Sequence, residues 1–489
     1  MESGLRGRDD LLGRVKGRTR GMLPGADSEA GRWLRARAPY SWRMGSAFRR
    51  SAGLLAASQW WSAERLAAYQ LEKLHEVVVG AAANVPGYRV KFAEHGVGPE
   101  SLKRLEDMRR FPCLTKEELR EAPDRYVSEA IPKERLQYVT SGGTTGAPVG
   151  FYHLSEHNDD IAAAFRLTMW RRIGYRPGRP ALDLTGSFGG GPLHHYQDRD
   201  LLCLSISALD CQRFPSYAQA IAEFRPEFLI GFPSTVSLFA ELAAHHGAFE
   251  LRLRGIITSS EVMMEGQRRA IAAAFGCRVL QWYGMAEYAG FASGCERSDE
   301  YHFFPESCYL ELLDARGEPV TEEGGVGEIV LTGLHGVATP FIRYRTGDMG
   351  VLGSPRCRWC GRNYPLLREI SGRRQEFLVA RDGRLIPGSA LNVHCGLFDQ
   401  VWGYQFYQER PGAVVLSLLA KPCYEPGATE RIRRFVLEKV GGGIELEIRF
   451  PAEIPRTGRG KHAFIVQKLA APGAAEAGKA RPEMLGSGR

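Results

Sequence analysis

Between Glu227 and Gly284 the chain alternates short apolar runs with longer amphipathic ones, and this alternation limits the fold more than any other feature. "EFLIGF" reads as a buried strand, "STVSLFAELAAHHG" as a helix opened by Ser234 and closed by Gly247, "LRGIIT" as a strand, "EGQRRAIAAAFG" as a helix and "RVLQWYG" as a strand. Strand, helix, strand, helix, strand requires crossovers, so the strands lie parallel with helices on the sheet faces. Such sheets bind ligands beyond the carboxyl ends of their strands. The loops after Gly231, Ser259 and Tyr283 therefore share one rim.

The flanking segments have a different texture. From Trp60, the residues Ala67, Leu71, Leu74 and Val78 recur at helical spacing until Pro86-Gly87 stops the run, so folding is expected to begin near there. Thr115 opens a short helix in "TKEELRE", and "RLQYV" reads as a strand. After Tyr309 strands and turns dominate, as in "CYLELLDARGEPV" and "GEIVLTGL". A further break at "ISGRRQEFLVARDGRLIPGSALN" opens a smaller α+β region holding "AVVLSLLA", a basic amphipathic helix around "ATERIRRFVLEKV", and "EIRFPAEIPRTGRGKHAFI". The expected division is a basic extension over 1–58, a large α/β domain with a β-rich subdomain over 59–371, a small mobile domain over 372–469, and a tail over 470–489 whose composition suits disorder.

A length of 489 residues allows more than one core. No apolar run is long enough to span a bilayer, and "GLRGRDDLLGRVKGRTRG" lacks the apolar stretch of a signal peptide, so a cytoplasmic protein is expected. The formal charge of +8 suits an anionic ligand and is too diffuse to argue for nucleic acid. Most cysteines, such as Cys113, Cys203 and Cys277, stand alone and read as small apolar residues. Cys357 and Cys360 break that pattern.

Chemistry concentrates in five ordered motifs. After the strand "RLQYV", "TSGGTTG" places Thr140, Ser141, Gly142, Gly143, Thr144, Thr145 and Gly146 in one turn. Its glycines let backbone N–H groups approach an anion while its hydroxyls add donors, although no lysine of the P-loop kind follows. "WYGMAE" then supplies Glu287, "FIRYRTGDMG" Asp348, "SGRRQE" Arg373 and "PRTGRGKHAF" Lys461.

In this order and spacing the motifs resemble those of the adenylate-forming superfamily of acyl-CoA synthetases, in its phenylacetate–CoA ligase-like branch, which includes proteins of capsular polysaccharide gene sets. The resemblance runs from about Trp60 to Leu469. It implies that Thr140 to Gly146 bind ATP phosphates and that Ser259, Ser260 and Glu261 flank the adenine. Tyr283 and Gly284 would line the adenine, Glu287 would hold Mg²⁺, Asp348 would accept both ribose hydroxyls and Arg373 would support ribose or phosphate. Lys461, on a glycine-rich loop of the small domain, would bridge the two anionic reactants as a point charge. A rotation about a hinge within Arg373 to Glu376 would follow adenylation.

This sequence departs from the family at three positions. Gly142 replaces a hydroxyl residue, Val149 replaces a lysine, and Ala286 replaces the Thr or Ser before Glu287. The last change removes a hydrogen bond of about 1 kcal/mol.

"CRWCGR" spaces Cys357 and Cys360 as half of a tetrahedral Zn²⁺ site. Some relatives share a pattern in which Cys295 and His302 complete it, giving a closed Cys₃His site. Cys308 is a fallback ligand. The acyl pocket is expected around Phe188, Gly189 to Gly191, Phe232, Trp282 and Tyr288, with His194 and His195 read as surface histidines.

The resemblance implies an ATP-dependent carboxylate ligase that forms an acyl-adenylate, releases pyrophosphate and passes the acyl group to coenzyme A. An amine of a sugar or amino acid, in polysaccharide or natural-product assembly, is the alternative acceptor. A nucleotide-binding interaction protein without catalysis is the alternative from another class, and the full "PRTGRGK" setting of Lys461 counts against it. Expected partners are a carboxylic acid and its acceptor, without nucleic acid or a stable membrane association; a homodimer is compatible with the sequence.

Overall fold

The computed structural model describes residues 40–141, 149–185, 192–196, 200–205, 214–246, 251–263, 265–373, 377–382, 385–387, 398, 400–440, 442–455 and 463–469. The chain divides into two compact units, the larger running to Arg374 and the smaller starting at Gln375.

In the larger unit β1 (Gln137–Thr140) and β2 (Gly150–His153) form an antiparallel hairpin. The remaining strands are β3 (Ala181–Leu184), β4 (Leu193–Tyr196), β5 (Leu201–Leu204), β6 (Phe228–Gly231), β7 (Gly255–Ser259), β8 (Arg278–Gly284), β9 (Phe291–Gly294), β10 (Tyr301–Phe303), β11 (Cys308–Leu313), β12 (Val326–Gly333), β13 (Tyr344–Leu352) and β14 (Leu366–Arg373). They join in one sheet ordered β4-β5-β3-β6-β7-β8-β9-β10-β14-β13-β12-β11.

The stretch β5-β3-β6-β7-β8 is parallel, and every pair from β8 to β11 is antiparallel. Residue character explains the division. β3, β5, β6 and β7 are buried along their whole length, as helices on both faces require, and they read as continuous apolar runs.

Two clusters of apolar side chains cover the sheet. Phe165, Met169 and Trp170 of the helix Ser155–Arg171 pack with Phe228, Ile230, Ile257 and Leu280 of the parallel strands. Leu74, Val78 and Ala81 of the helix Ala63–Asn84 pack with Leu331, Tyr344 and Leu367 of the antiparallel half. Each fully buried side chain of this size contributes about 1.5–3 kcal/mol.

The last part of the expected 1–58 extension is folded, since residues 46–58 form a packed helix, while residues 1–39 lie outside the described residues. The helix Ser46–Ser58 buries Ala47, Phe48 and Leu55 in the first of these clusters. Its small, evenly spread apolar residues hide it among arginines in the sequence. The helix expected to open at Ser234 spans Pro233–His245, because Pro233 suits the first helical position and the Phe232 N–H donates to Thr235 Oγ1 at 3.0 Å. Thr115 caps Lys116–Glu121, with reciprocal bonds between Thr115 and Glu118.

The smaller unit packs the helix Pro426–Val440 with a four-stranded mixed sheet that contains Val401–Arg410 and Ala413–Ala420. Its core includes Phe406, Leu416, Leu418, Ile432 and Val436. Among the described residues no helix is long and apolar enough to cross a membrane.

Candidate active site and metal centre

The carboxyl ends of β7 and β8 lie side by side, with Ser259 opposite Trp282 in the parallel register. Ser260, just beyond β7, has φ +70°, a left-handed backbone that a serine adopts only when its surroundings hold it there. Glu261 is anchored to the start of the helix Pro233–His245, which precedes β7: its carboxylate accepts from the Ser234 N–H at 3.0 Å and the Ser234 hydroxyl at 3.1 Å. A carboxylate at that helix N-terminus meets unsatisfied N–H groups. Gln281 donates to the Glu261 carbonyl at 2.9 Å, tying the segment to β8.

Tyr283, near the end of β8, reaches across to β13. Its hydroxyl donates to Asp348 Oδ2 at 2.7 Å. Burial, and then the charge of Asp348, push the Tyr283 phenol well above its ordinary value, so it stays a donor. Gly347 has φ +71°, which favours glycine before Asp348. The turn is held from three sides. Glu328 accepts from the Gly347 N–H at 3.1 Å, Thr346 Oγ1 accepts from the Asp348 N–H at 3.0 Å, and Lys116 donates to the Thr346 carbonyl. Arg373 is the cross-strand partner of Asp348 in β14.

Glu287 lies in the turn after β8 and is buried. The Tyr344 hydroxyl donates to its Oε1 at 2.9 Å. A carboxylate offers about four lone-pair sites, so this bond leaves capacity for a cation. Mg²⁺ is commonly held by one or two carboxylates together with substrate phosphates, and the single carboxylate of Glu287 fits that pattern. Ala286 packs, half-buried, against the core around Tyr344.

The hairpin β1–β2 brings Thr140 and Ser141 to its mouth. Ser141 and Val149 close it, with the Ser141 N–H donating to the Val149 carbonyl at 2.8 Å and the Val149 N–H to the Ser141 hydroxyl at 2.9 Å. A Cβ at Gly150 would lie 1.8 Å from the Tyr138 hydroxyl, so a larger residue there would displace that exposed ring. Gly142, Gly143, Thr144, Thr145 and Gly146 lie outside the described residues, as do Lys461, Gly247, Phe188 and the glycines 189–191.

Of the other residues expected at the acyl pocket, Phe232 and Trp282 are buried. Tyr288 stacks on His153 with ring centroids 4.9 Å apart and donates to Asp159 Oδ1 at 3.2 Å. His194 and His195 lie on β4, an edge strand, with His195 exposed.

Cys295, His302, Cys357 and Cys360 converge, with all four ligand atoms within 4.8 Å of one another. Cys295 Sγ lies 3.9 Å from Cys357 Sγ, and Cys360 Sγ lies 3.4 Å from His302 Nε2. Zinc bonds of about 2.3 Å to sulfur and 2.0 Å to nitrogen give tetrahedron edges of about 3.5–3.8 Å, so the set fits that ion. β9 and β10 bring Cys295 and His302 together, while the turn before β14 delivers Cys357 and Cys360. Cys308 is buried beside Ser307 and does not join this group.

Two contributors escaped the sequence reading. Tyr344 and Lys116 hold Glu287 and the Asp348 turn, respectively. Strand alternation in "FIRYRTGD" carried the signal for the first: Arg343 and Arg345 turn to Glu311 and Glu328, so Tyr344 points the other way. Nothing local marked Lys116.

Residues 100–339 match the family of AMP-binding enzymes. The chain is 28% identical to a phenylacetate–coenzyme A ligase of Thermus thermophilus, over 81% of this chain and 95% of that protein. It is 31% identical to a phenylacetate–coenzyme A ligase of Pseudomonas putida, over 67% of this chain and 74% of that one. Protein CapK of Staphylococcus aureus is 21% identical over 74% of this chain and 81% of its own length. Among solved structures, a 2-hydroxyisobutyryl-CoA ligase in the postadenylation state aligns with a TM-score of 0.67 at 23% identity, covering 91% of this chain and 94% of that one. That structure speaks for the fold. The chain belongs to the adenylate-forming AMP-binding enzymes, in their phenylacetate–CoA ligase-like branch.

Proposed function

We infer that this protein is an ATP-dependent acid–thiol ligase. The observation that carries the reading is the meeting of Tyr283 and Asp348 at the rim where β7 and β8 end, with Glu287 in the adjoining turn. In the first step a carboxylate oxygen of the acid bonds to the α-phosphorus of ATP, and the bond to pyrophosphate breaks. In the second, a thiol sulfur of coenzyme A attacks the acyl carbon and AMP leaves.

The chain's residues have separate tasks in this scheme. Asp348 accepts the ribose hydroxyls, with Tyr283 holding its second oxygen and lining the adenine. Ser259 and Ser260 flank the base on the neighbouring strand. Thr140 and Ser141 begin the phosphate-binding turn that continues to Gly146, and Arg373 supports ribose or phosphate. Glu287 would hold Mg²⁺, which supplies charge neutralisation between the two anionic reactants. Lys461 is assigned the role of bridging the two anionic reactants with its ammonium, and orientation of the reactants accounts for much of the remaining acceleration.

The Cys295, His302, Cys357 and Cys360 cluster would hold Zn²⁺ as a closed structural site, since four protein ligands leave no open position. The acid would lie near Phe232 and Tyr288, whose aromatic character suits an aryl or apolar acid.

Incubation with MgATP, coenzyme A and a panel of carboxylic acids, followed by mass detection of products, tests this reading. Acyl-CoA and AMP formed in equal amounts from one acid class support it. An amide formed from an added amine, with coenzyme A untouched, would replace the thiol acceptor by an amine.

A further inference from the structure

Arg172 is half-buried, with its guanidinium turned toward the Cys295–Cys360 cluster. Its Nη1 donates to the Gly294 carbonyl at 3.2 Å and lies 3.3 Å from His302 Nδ1. Its Nε and Nη2 are sealed from solvent and meet no hydrogen-bond partner among the described residues. The guanidinium also lies over the Phe304 ring, 5.0 Å from its centroid. A guanidinium held this way requires a nearby negative charge.

Among the described residues the neighbouring carboxylates are mostly engaged with other partners. Glu296 forms a two-pronged pair with Arg362, at 2.7 and 2.8 Å, so these two neutralise each other. Asp299 pairs with Arg278 at 2.9 Å and Arg268 at 3.0 Å. Glu306 is deeply buried, and desolvation raises its carboxyl toward the neutral form. Its Oε1 takes the hydroxyls of Tyr364 and Ser58. The carboxyl end of the helix Ser155–Arg171 offers about half an elementary charge, which offsets Arg172 only in part.

A divalent ion bound by three thiolates and one neutral imidazole carries a net charge of about −1 by simple addition. That is a counter-charge for the guanidinium. We propose that Arg172 is a charge-balancing residue of the metal centre: its guanidinium is the counter-charge that makes a Cys₃His divalent site electrically neutral. The inference rests on the reading of the cluster as a zinc site.

The test separates charge from shape. Wild type, Arg172→Lys and Arg172→Gln are each loaded with zinc as the full chain and titrated against a colorimetric zinc chelator, and the melting temperature is recorded for loaded and stripped protein. Arg172→Gln should bind zinc about 10- to 100-fold more weakly, the range for losing an outer-shell partner, while Arg172→Lys stays within about tenfold of wild type. Stripped Arg172→Gln should melt no lower than stripped wild type, because the substitution removes a charge left without its partner. Zinc would then raise its melting temperature less.

Wild-type zinc affinity in Arg172→Gln would overturn the proposal, and so would equal melting losses in its loaded and stripped forms. If Arg172→Gln does not fold, Arg172→Met is the neutral variant and is held to the same outcomes. A wild-type protein that takes up no zinc would instead overturn the metal reading itself, and with it this role for Arg172.

Discussion

Tyr283 and Asp348 are joined by a 2.7 Å hydrogen bond that links the last parallel strand of the large sheet to its antiparallel half. The two residues are far apart in sequence, and the bond spans the place where a nucleotide would sit in the proposed function. Tyr283 holds one oxygen of the carboxylate that the proposed function assigns to ribose.

Removing either partner should therefore have unequal effects. Asp348→Asn should lower kcat/KM for ATP by about 100-fold, as expected for losing charge-assisted bonds of about 1.5–3 kcal/mol. Tyr283→Phe keeps the ring and loses one bond, so the drop should be about tenfold or less. Initial-rate measurements of pyrophosphate release at varied ATP check both. Equal, small effects would remove Asp348 from the nucleotide site.

Lys461 acts on the transition state in this account, whereas Asp348 acts on nucleotide binding. Lys461→Ala should slow acyl-adenylate formation by about 100- to 1,000-fold and leave ATP affinity nearly unchanged. Single-turnover formation of acyl-AMP, together with equilibrium ATP binding, distinguishes the two. A wild-type adenylation rate would end the assignment.

Much of this arrangement was legible in the sequence, for identifiable reasons. "EFLIGF", "LRGIIT" and "RVLQWYG" are continuous apolar runs bounded by helix signals, and they became β6, β7 and β8 with the order expected of a parallel sheet. The spacing of Cys357 and Cys360 announced a metal knuckle. The family resemblance placed Cys295 and His302 with them, and the four converge. Other features were hidden because their signal is tertiary. Arg172 reads as one more arginine in "MWRRIG", and only its place beside four ligands gives it meaning. β3, β4 and β5 are four-residue strands with little periodicity to read.

The proposed zinc ligands make a separate prediction. Cys357→Ser with Cys360→Ser should lose bound zinc and lower the melting temperature, because two of four ligands go and the turn before β14 loses its clamp. Elemental analysis of the purified double variant checks the metal. Undiminished zinc content would place the ion elsewhere.

Acid should destabilise the large unit through His335. Its Nε2 is sealed from solvent with no partner among the described residues, and desolvation lowers its value from 6.5 to about 4. The unfolded chain then takes up a proton near pH 6.5 while the folded chain resists until about pH 4. Stability from this group is therefore complete above pH 6.5 and lost as pH falls toward 4, by about 3 kcal/mol at most. Urea unfolding at pH 7 and pH 4.5 should show a smaller difference for His335→Gln than for wild type. An identical difference would assign the acid sensitivity to other groups.

The central claim, adenylation of a carboxylic acid, is tested most directly by pyrophosphate release from MgATP in the presence of hydroxylamine, without coenzyme A, across aryl, fatty and amino acids. The account predicts release that depends on one acid class and yields the matching hydroxamate. Confirmed ATP binding with no acid-dependent pyrophosphate release across the panel would contradict it.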